Sequence, residues 1–382
     1  MRTGDAPSLA DLDRLYFHGS PVELAKAVAS LPRVYALSMR QLYEQVIADV
    51  RDGKAGAIHP ELYRAYSENL RKAVSGFDGE DLRMQFEANL SRFAAYKAWH
   101  ATRQVERQLA DSYGVARSPE AFDRMASAVL NTFNRYQAAE YNTAVARART
   151  AHQWQQFSQG DNMFLFPNLR WLPSRSANPR EAHMPFYNRV WSKTDPFWNS
   201  NQPGNLWNCK CDWEETDDPV TGDNPEGIRP AKGLEGNPAD TGRIFTDQCT
   251  YVQRAGKNTE HDALKVMWKD NFSWALEHVR GKTARNPGIE EEINISRRGI
   301  KEFLNQNHDD YLVKNEMIRH ISDILGKAEY MGETLYSGRV SKIFRTRLCG
   351  KDNYIIVNYN DEGKLNLYSI TASPKVLVDI KK

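Results

Sequence analysis

Cys209-Lys210-Cys211 sets two thiols two residues apart, a pair able to ligate a single metal ion. His183 and Cys249 are the other ligand types in the same region. Together the four make a Cys3His set, a stoichiometry that suits tetrahedral zinc. The spacing leaves two further readings open. The thiols can be reduced and packed against neighbouring tryptophans, with His183 hydrogen-bonded beside them. Alternatively, cysteine and histidine can form a nucleophile and its base, which needs an orienting group and an oxyanion site. The sequence identifies neither of those.

A second set of chemically capable side chains lies in the last hundred residues. Arg345 and Arg347 are two apart on an expected strand, so both project from one face. Paired guanidinium groups can clamp a phosphate; a solvated sheet face needs no such role. Tyr354 can stack on a base or simply pack. Ser369 and Thr371 can bind phosphate or pair across the ladder. His320 sits at the margin of a helix's apolar stripe, where it faces either the sheet or solvent.

The elements that position the first set are unusual. Residues 183–214 hold Trp191, Trp198, Trp207 and Trp213, with Pro185, Pro196 and Pro203 between them. No helical or alternating period runs through this stretch, yet it is too aromatic for a disordered linker. A compact loop-rich knot is expected. Residues 1–115 read as a helical bundle. Capping patterns stand at Ser20-Pro21-Val22-Glu23 and at Ser38 with Gln41, His59-Pro60 opens a further helix, and a long helix spans about 81–113. Ser118-Pro119 starts another, with Phe122, Met125, Val129, Phe133 and Tyr136 on one face, continuing towards Trp154. Arg147, Arg149 and His152 lie near its end, where cations oppose the helix dipole or contact a partner. Residues 158–260 are rich in turn formers and poor in pattern.

A helix over Asp262–His278 precedes the breakers Gly281 and Asn286-Pro287-Gly288, which mark a boundary. Beyond it come a short strand near Ile293, a helix over 299–305 and a clearer helix over Glu316–Lys327. Strands follow over 339–348, 354–359 and 364–371. Helices first and an antiparallel meander after them make an α+β layout. The expected organisation is multidomain: a helical region (1–115), a Trp/Cys module (116–260), a helix and linker (261–287) and an α+β domain with an antiparallel sheet (288–382).

The 382 residues are 41% apolar and 26% charged, a globular composition. Net charge is +2, so any nucleic-acid or membrane contact must be a local patch. No apolar run approaches membrane-spanning length, and the first residues lack a signal peptide's apolar core. A reducing cytoplasm at synthesis favours a metal or buried thiols over disulfides.

His183, Asp195-Pro196-Phe197-Trp198, Asn201-Gln202-Pro203-Gly204 and Asn208-Cys209-Lys210-Cys211 form an ordered set. Upstream stand Glu140-Tyr141-Asn142-Thr143-Ala144, Arg147, Ala151 and Trp154. Downstream stands Gly233-Leu234-Glu235-Gly236-Asn237-Pro238-Ala239, ending in Phe245-Thr246. This set, over roughly residues 80–255, resembles the phage Mu F-like minor head protein family. The resemblance implies a morphogenetic protein of the phage head, with portal and capsid proteins as partners. It implies the host cytoplasm during assembly and the virion afterwards, and no membrane partner. Residues 288–382, through their layout and the Ile-Ser-Arg-Arg-Gly-Ile-Lys opening, resemble the barnase–EndoU–colicin–RelE nuclease group. That second resemblance implies metal-independent RNA cleavage. His320, Arg345, Arg347 and Thr371 would be catalytic there, with Tyr354 and Ser369 contacting RNA and an immunity protein as a further partner.

Overall fold

A computed structural model describes residues 39–380, apart from 180, 222–224, 226–228, 337 and 379. The expected helix starts at Ser20 and Ser38, the turn residues 222–224 and the terminal Lys381 and Lys382 lie outside the described residues. Packing divides the chain into two units. One runs to Gly79 and resumes over Asn89–Ala263; the other comprises Glu80–Ala88 and the chain from Leu264 onward.

The helices of the first unit are α1 (residues 39–51), α2 (Pro60–Lys72), the part of α3 (Glu80–Glu106) from Asn89 onward, and α4 (Pro119–Phe157). The start signals act as expected. His59 Nδ1 accepts the Leu62 N–H at 3.4 Å with Pro60 in the first turn, and Ser118 Oγ accepts the Ala121 N–H at 3.3 Å. The buried stripe of α4 differs from the expected one. Phe122, Ala126, Leu130 and Phe133 face inward, while Met125 and Tyr136 are exposed. A 3.6-residue period through Phe122 passes through the smaller Ala126, and the bulkier neighbour is turned out. Further along, Glu140 forms a buried ion pair with Lys97 of α3, and the Tyr251 hydroxyl donates to the same carboxylate at 3.1 Å.

Behind α4 the chain forms a small antiparallel sheet in the order β2-β1-β3, from β1 (Asn168–Leu172), β2 (Val190–Ser192) and β3 (Asp212–Thr216). These strands were not legible in the sequence, because segments of three to five residues carry too few alternations to register. One face of the sheet holds the aromatic knot. Trp171, Phe186, Trp191, Phe197, Trp198 and Trp213 are buried together with Cys209 and Cys211. Trp191 stacks on Phe197 at 4.1 Å between ring centroids, and Trp154 of α4 stacks on Trp213 at 5.7 Å. Trp207 departs from this group and stacks on Phe245.

The second unit is built on a six-stranded sheet in the order β4-β5-β9-β8-β7-β6. Its strands are β4 (Thr283–Ala284), β5 (Ile293–Asn294), β6 (Glu329–Tyr336), β7 (Arg339–Leu348), β8 (Lys351–Tyr359) and β9 (Leu365–Thr371). The sheet is mixed rather than wholly antiparallel, since β5 runs parallel to β9. Four helices accompany it: α5 (Thr259–His278), α6 (Arg297–Asn305), α7 (Tyr311–Glu316) and α8 (Ile321–Lys327). A turn of 3-10 helix at Met317–His320 interrupts the helix expected over 316–327. On one face of the sheet, Phe344, Leu348, Ile355 and Leu367 share a core with Ile300, Phe303, Ile318 and Ile321. On the other face, Ile343, Tyr354 and Ile356 are covered by Val376 and Leu377 of the final turn.

The second unit begins earlier than residue 288. Ala275 and Val279 lie in the same core as Ile300 and Phe344, with Trp268 and Phe272 packed against it. The stretch 261–287 is therefore part of this unit's interior rather than a linker, despite the breakers at Asn286-Pro287-Gly288.

Candidate metal centre

His183, Cys209 and Cys211 converge. Their ligand atoms lie within 4.8 Å of one another, and all three residues are buried. His183 Nδ1 is 3.3 Å from the Cys209 sulfur and 3.4 Å from the Cys211 sulfur. A tetrahedral zinc with Zn–S of about 2.3 Å and Zn–N of about 2.0 Å spaces sulfur and nitrogen about 3.5 Å apart. The donor set therefore fits such an ion in both type and spacing.

Each ligand is held by its own element. His183 sits in a turn of 3-10 helix, Glu181–Phe186, with its ring edge-on to Trp171. Its Nε2–H donates to Asn205 Oδ1 at 2.9 Å. Asn205 Nδ2 in turn donates to the Ser200 carbonyl at 3.2 Å, which fixes which end of the amide meets the histidine. The tautomer follows: with the proton on Nε2, Nδ1 presents its lone pair to the thiols. This is the outer support that metal-bound histidines receive.

The thiols turn on the CxC loop. The Cys211 N–H donates to the Cys209 sulfur at 3.4 Å, and Asn208 adopts a left-handed conformation with φ of 58° just before it. A hydrogen bond from Cys211 holds the Cys209 thiol well below the usual range, and the same bond, with burial, pushes Cys211 well above it. Trp171 Nε1 is buried without an oxygen or nitrogen partner among the described residues, and both it and the Tyr187 hydroxyl interact with the Cys211 sulfur. Such donors suit a thiolate better than a thiol. A cleft of about 240 Å³, lined by Ser174, Ser176, Asn178 and Lys210, opens on the three ligands.

Cys249 is not in the group. It heads the short helix Thr250–Gln253, accepting the Val252 and Gln253 N–H bonds, and it packs against Gly233 so closely that a Cβ there would lie 2.6 Å from its own. The expected Cys3His set is therefore reduced to His183, Cys209 and Cys211, which would hold an ion beside the cleft. Asn205, the hydrogen-bond partner of His183, is a residue the sequence did not single out.

The knot is tied to α4 by the residues that carry the head-protein resemblance. Thr143 Oγ1 accepts the Asn208 N–H at 2.8 Å. The Arg147 guanidinium, which burial lowers to about 9, donates to the carbonyls of Leu234, Glu235 and Gly236. Arg149 pairs with Asp212, and Thr150 Oγ1 donates to the Pro203 carbonyl at 2.9 Å. Gly204 passes over Arg147 with φ of 95°, where a Cβ would meet the Arg147 Cγ at 3.1 Å. Arg147 and Arg149 are thus engaged within the unit, and the His152 ring packs edge-on to Phe77.

In the second unit the expected nuclease residues do not converge. Arg345, Tyr354 and Thr371 stand side by side across β7, β8 and β9, and Ser369 pairs with Ile356 on the same face. Arg345 is paired with Glu329, and Arg347 donates to the Gly350 carbonyl at 2.7 Å. His320 lies in the helical layer that covers the opposite face, with Nε2 2.6 Å from Glu87 Oε2. Strand alternation placed the arginines correctly, but it could not say that the helix packs on the other side.

Residues 262–348 match the model of a family described as large polyvalent protein-associated domain 3. The match begins within two residues of the second unit's start at Leu264 and takes in α5 from Asp262 onward. The head-protein family resembled by residues 80–255 gave no match. No curated protein and no solved structure matches the chain. No helix among the described residues is long and apolar enough to cross a membrane.

Proposed function

We propose that this chain is a phage minor head protein of the Mu F-like kind, acting near the portal during capsid assembly, and that His183, Cys209 and Cys211 hold a structural zinc. The observation that carries this reading is the mutual engagement of the resembling residues. Thr143, Arg147 and Trp154 from one helix meet Asn208, the 234–236 loop and Trp213 from the loops, and the ligand triad sits inside that clasp. A signature whose members are each other's partners describes one folded module rather than a chance assortment. The ion would join loops that have little regular structure to stabilise them. The chain would work in the host cytoplasm and then in the virion. The test is co-sedimentation of the full chain with the portal protein encoded in the same genome. Stable co-sedimentation is expected, and a chain that stays apart from portal and capsid contradicts the reading.

The C-terminal unit is read as a non-catalytic module that binds protein or nucleic acid. The ribonuclease reading retains the row of Arg345, Tyr354 and Thr371 but loses its acid–base partner, because the sheet stands between that row and His320. Host RNA should stay intact when the full chain is expressed, and degraded RNA would restore the ribonuclease reading.

A further inference from the structure

A second cleft, of about 290 Å³, lies wholly within the C-terminal unit, between the start of α6 and the neighbouring ends of β8 and β9. The side chains expected to act on RNA do not line it. Its walls are rich in donors that the fold leaves unspent. Ser296 caps α6 by accepting the Gly299 N–H at 3.1 Å. The N–H of Arg298, in the same first turn, has no partner among the described residues. Gly299 brings this turn close to the sheet: a Cβ there would meet the Leu367 carbonyl oxygen at 2.2 Å. The Arg298 guanidinium is exposed and, among the described residues, without a carboxylate within ion-pair distance. Among the described residues, the Arg339 guanidinium has one loose contact, 3.8 Å from the exposed Asp361.

The independent observation comes from the sheet. Asn358 is 7% exposed and lines this cleft. Its Oδ1 takes the Ser341 hydroxyl at 2.8 Å, and its Nδ2 has no partner among the described residues. Through this amide the sheet presents an N–H2 donor to the cleft, where an acceptor can meet it. Glu302 is the one carboxylate on the walls, set against two guanidinium groups. The half-buried Tyr368 ring adds an aromatic surface. Helix N–H, amide and guanidinium donors converging on one space select an acceptor-rich anion, and phosphate matches that pattern.

We propose that this cleft binds a phosphate group, presented either by a free nucleotide or by the backbone of a nucleic acid. The inference names a ligand for the C-terminal unit and stands whether or not the chain acts at a portal. It is tested on the full chain by calorimetric titration with inorganic phosphate, a nucleoside 5′-monophosphate and a short oligoribonucleotide. Binding of at least one probe is expected, weakened at least about tenfold by Arg298→Ala and unchanged by Arg345→Ala. Arg298 is exposed, so its loss leaves the core intact. Binding of the monophosphate points to a nucleotide as source, and binding of the oligoribonucleotide alone points to a nucleic-acid backbone. The proposal is overturned if none of the three binds, if Arg298→Ala binds as tightly as the parent, or if Arg345→Ala is the variant that loses binding.

Discussion

Asn205 shows how a residue without chemistry of its own can decide what its neighbour does. Its amide takes the His183 Nε2–H, and the lone pair left on Nδ1 is the one that faces two sulfurs. Asn205→Ala should therefore lower zinc affinity by about 10–100-fold without removing a ligand, measured by competition with a chromophoric chelator. Arg147 makes a parallel case in stability. Arg147→Met strips one buried and two part-buried carbonyls of their donor and should cost about 2–3 kcal/mol in chemical denaturation; an unchanged midpoint would mean the guanidinium is not the clasp. His320 belongs to the same scale. Its partner Glu87 is buried, so His320→Ala should cost about 1 kcal/mol of stability and leave cellular RNA unaltered. The ligand types at 183, 209 and 211 were legible because thiol and imidazole chemistry is intrinsic to the residue. Asn205, Trp171 and Tyr187 were not, since an amide, an indole and a phenol acquire roles only from what they face. Cys249 misled for the same reason: ligand type was visible, but its place beside Gly233 was not.

At the scale of elements, helices with caps were readable and short strands were not. His59-Pro60 and Ser118-Pro119 mark their helix starts because the cap is a local interaction among residues three apart. The strands β1 to β3 are held by partners up to about fifty residues away, as Asn168 with Thr216, and no local signal encodes such pairing. In the C-terminal unit the order of helices and then meander was legible, whereas β5 joining β9 in parallel was not. Gly299 marks a close approach of α6 to β9 in that unit. Gly299→Ala places a methyl against the Leu367 backbone carbonyl, which cannot swing away, and should destabilise the unit by about 2–3 kcal/mol. Thermal melting reads this directly, and a neutral substitution would show that α6 sits further from β9 than this geometry requires.

For the molecule as a whole, stability should depend on acid through Arg92, which joins Asp247 and Glu260 within the first unit. Burial alone would raise the Glu260 carboxyl, but hydrogen bonds from Arg92 and Tyr96 outweigh it and hold the group below its ordinary value; Asp247 is lowered against burial by Arg92 in the same way. A carboxyl with a depressed folded pKa binds fewer protons folded than unfolded. Its contribution is present above the unfolded value of about 4 and is lost as pH falls through the folded value. Stability should thus drop below about pH 4, and Arg92→Ala should flatten that drop. Where the chain divides was the least legible feature. Asn286-Pro287-Gly288 breaks the chain locally, but domain membership is set by burial, and Ala275 and Val279 are buried in one core with α6 and β7.

The central claim is that an ion pins the aromatic knot, and the metal content of the purified full chain tests it most directly. The account predicts about one zinc per chain, lost when Cys209 and Cys211 become serine and accompanied by a lower melting temperature. A protein that purifies without metal, and melts at the same temperature with or without a chelator, would contradict it.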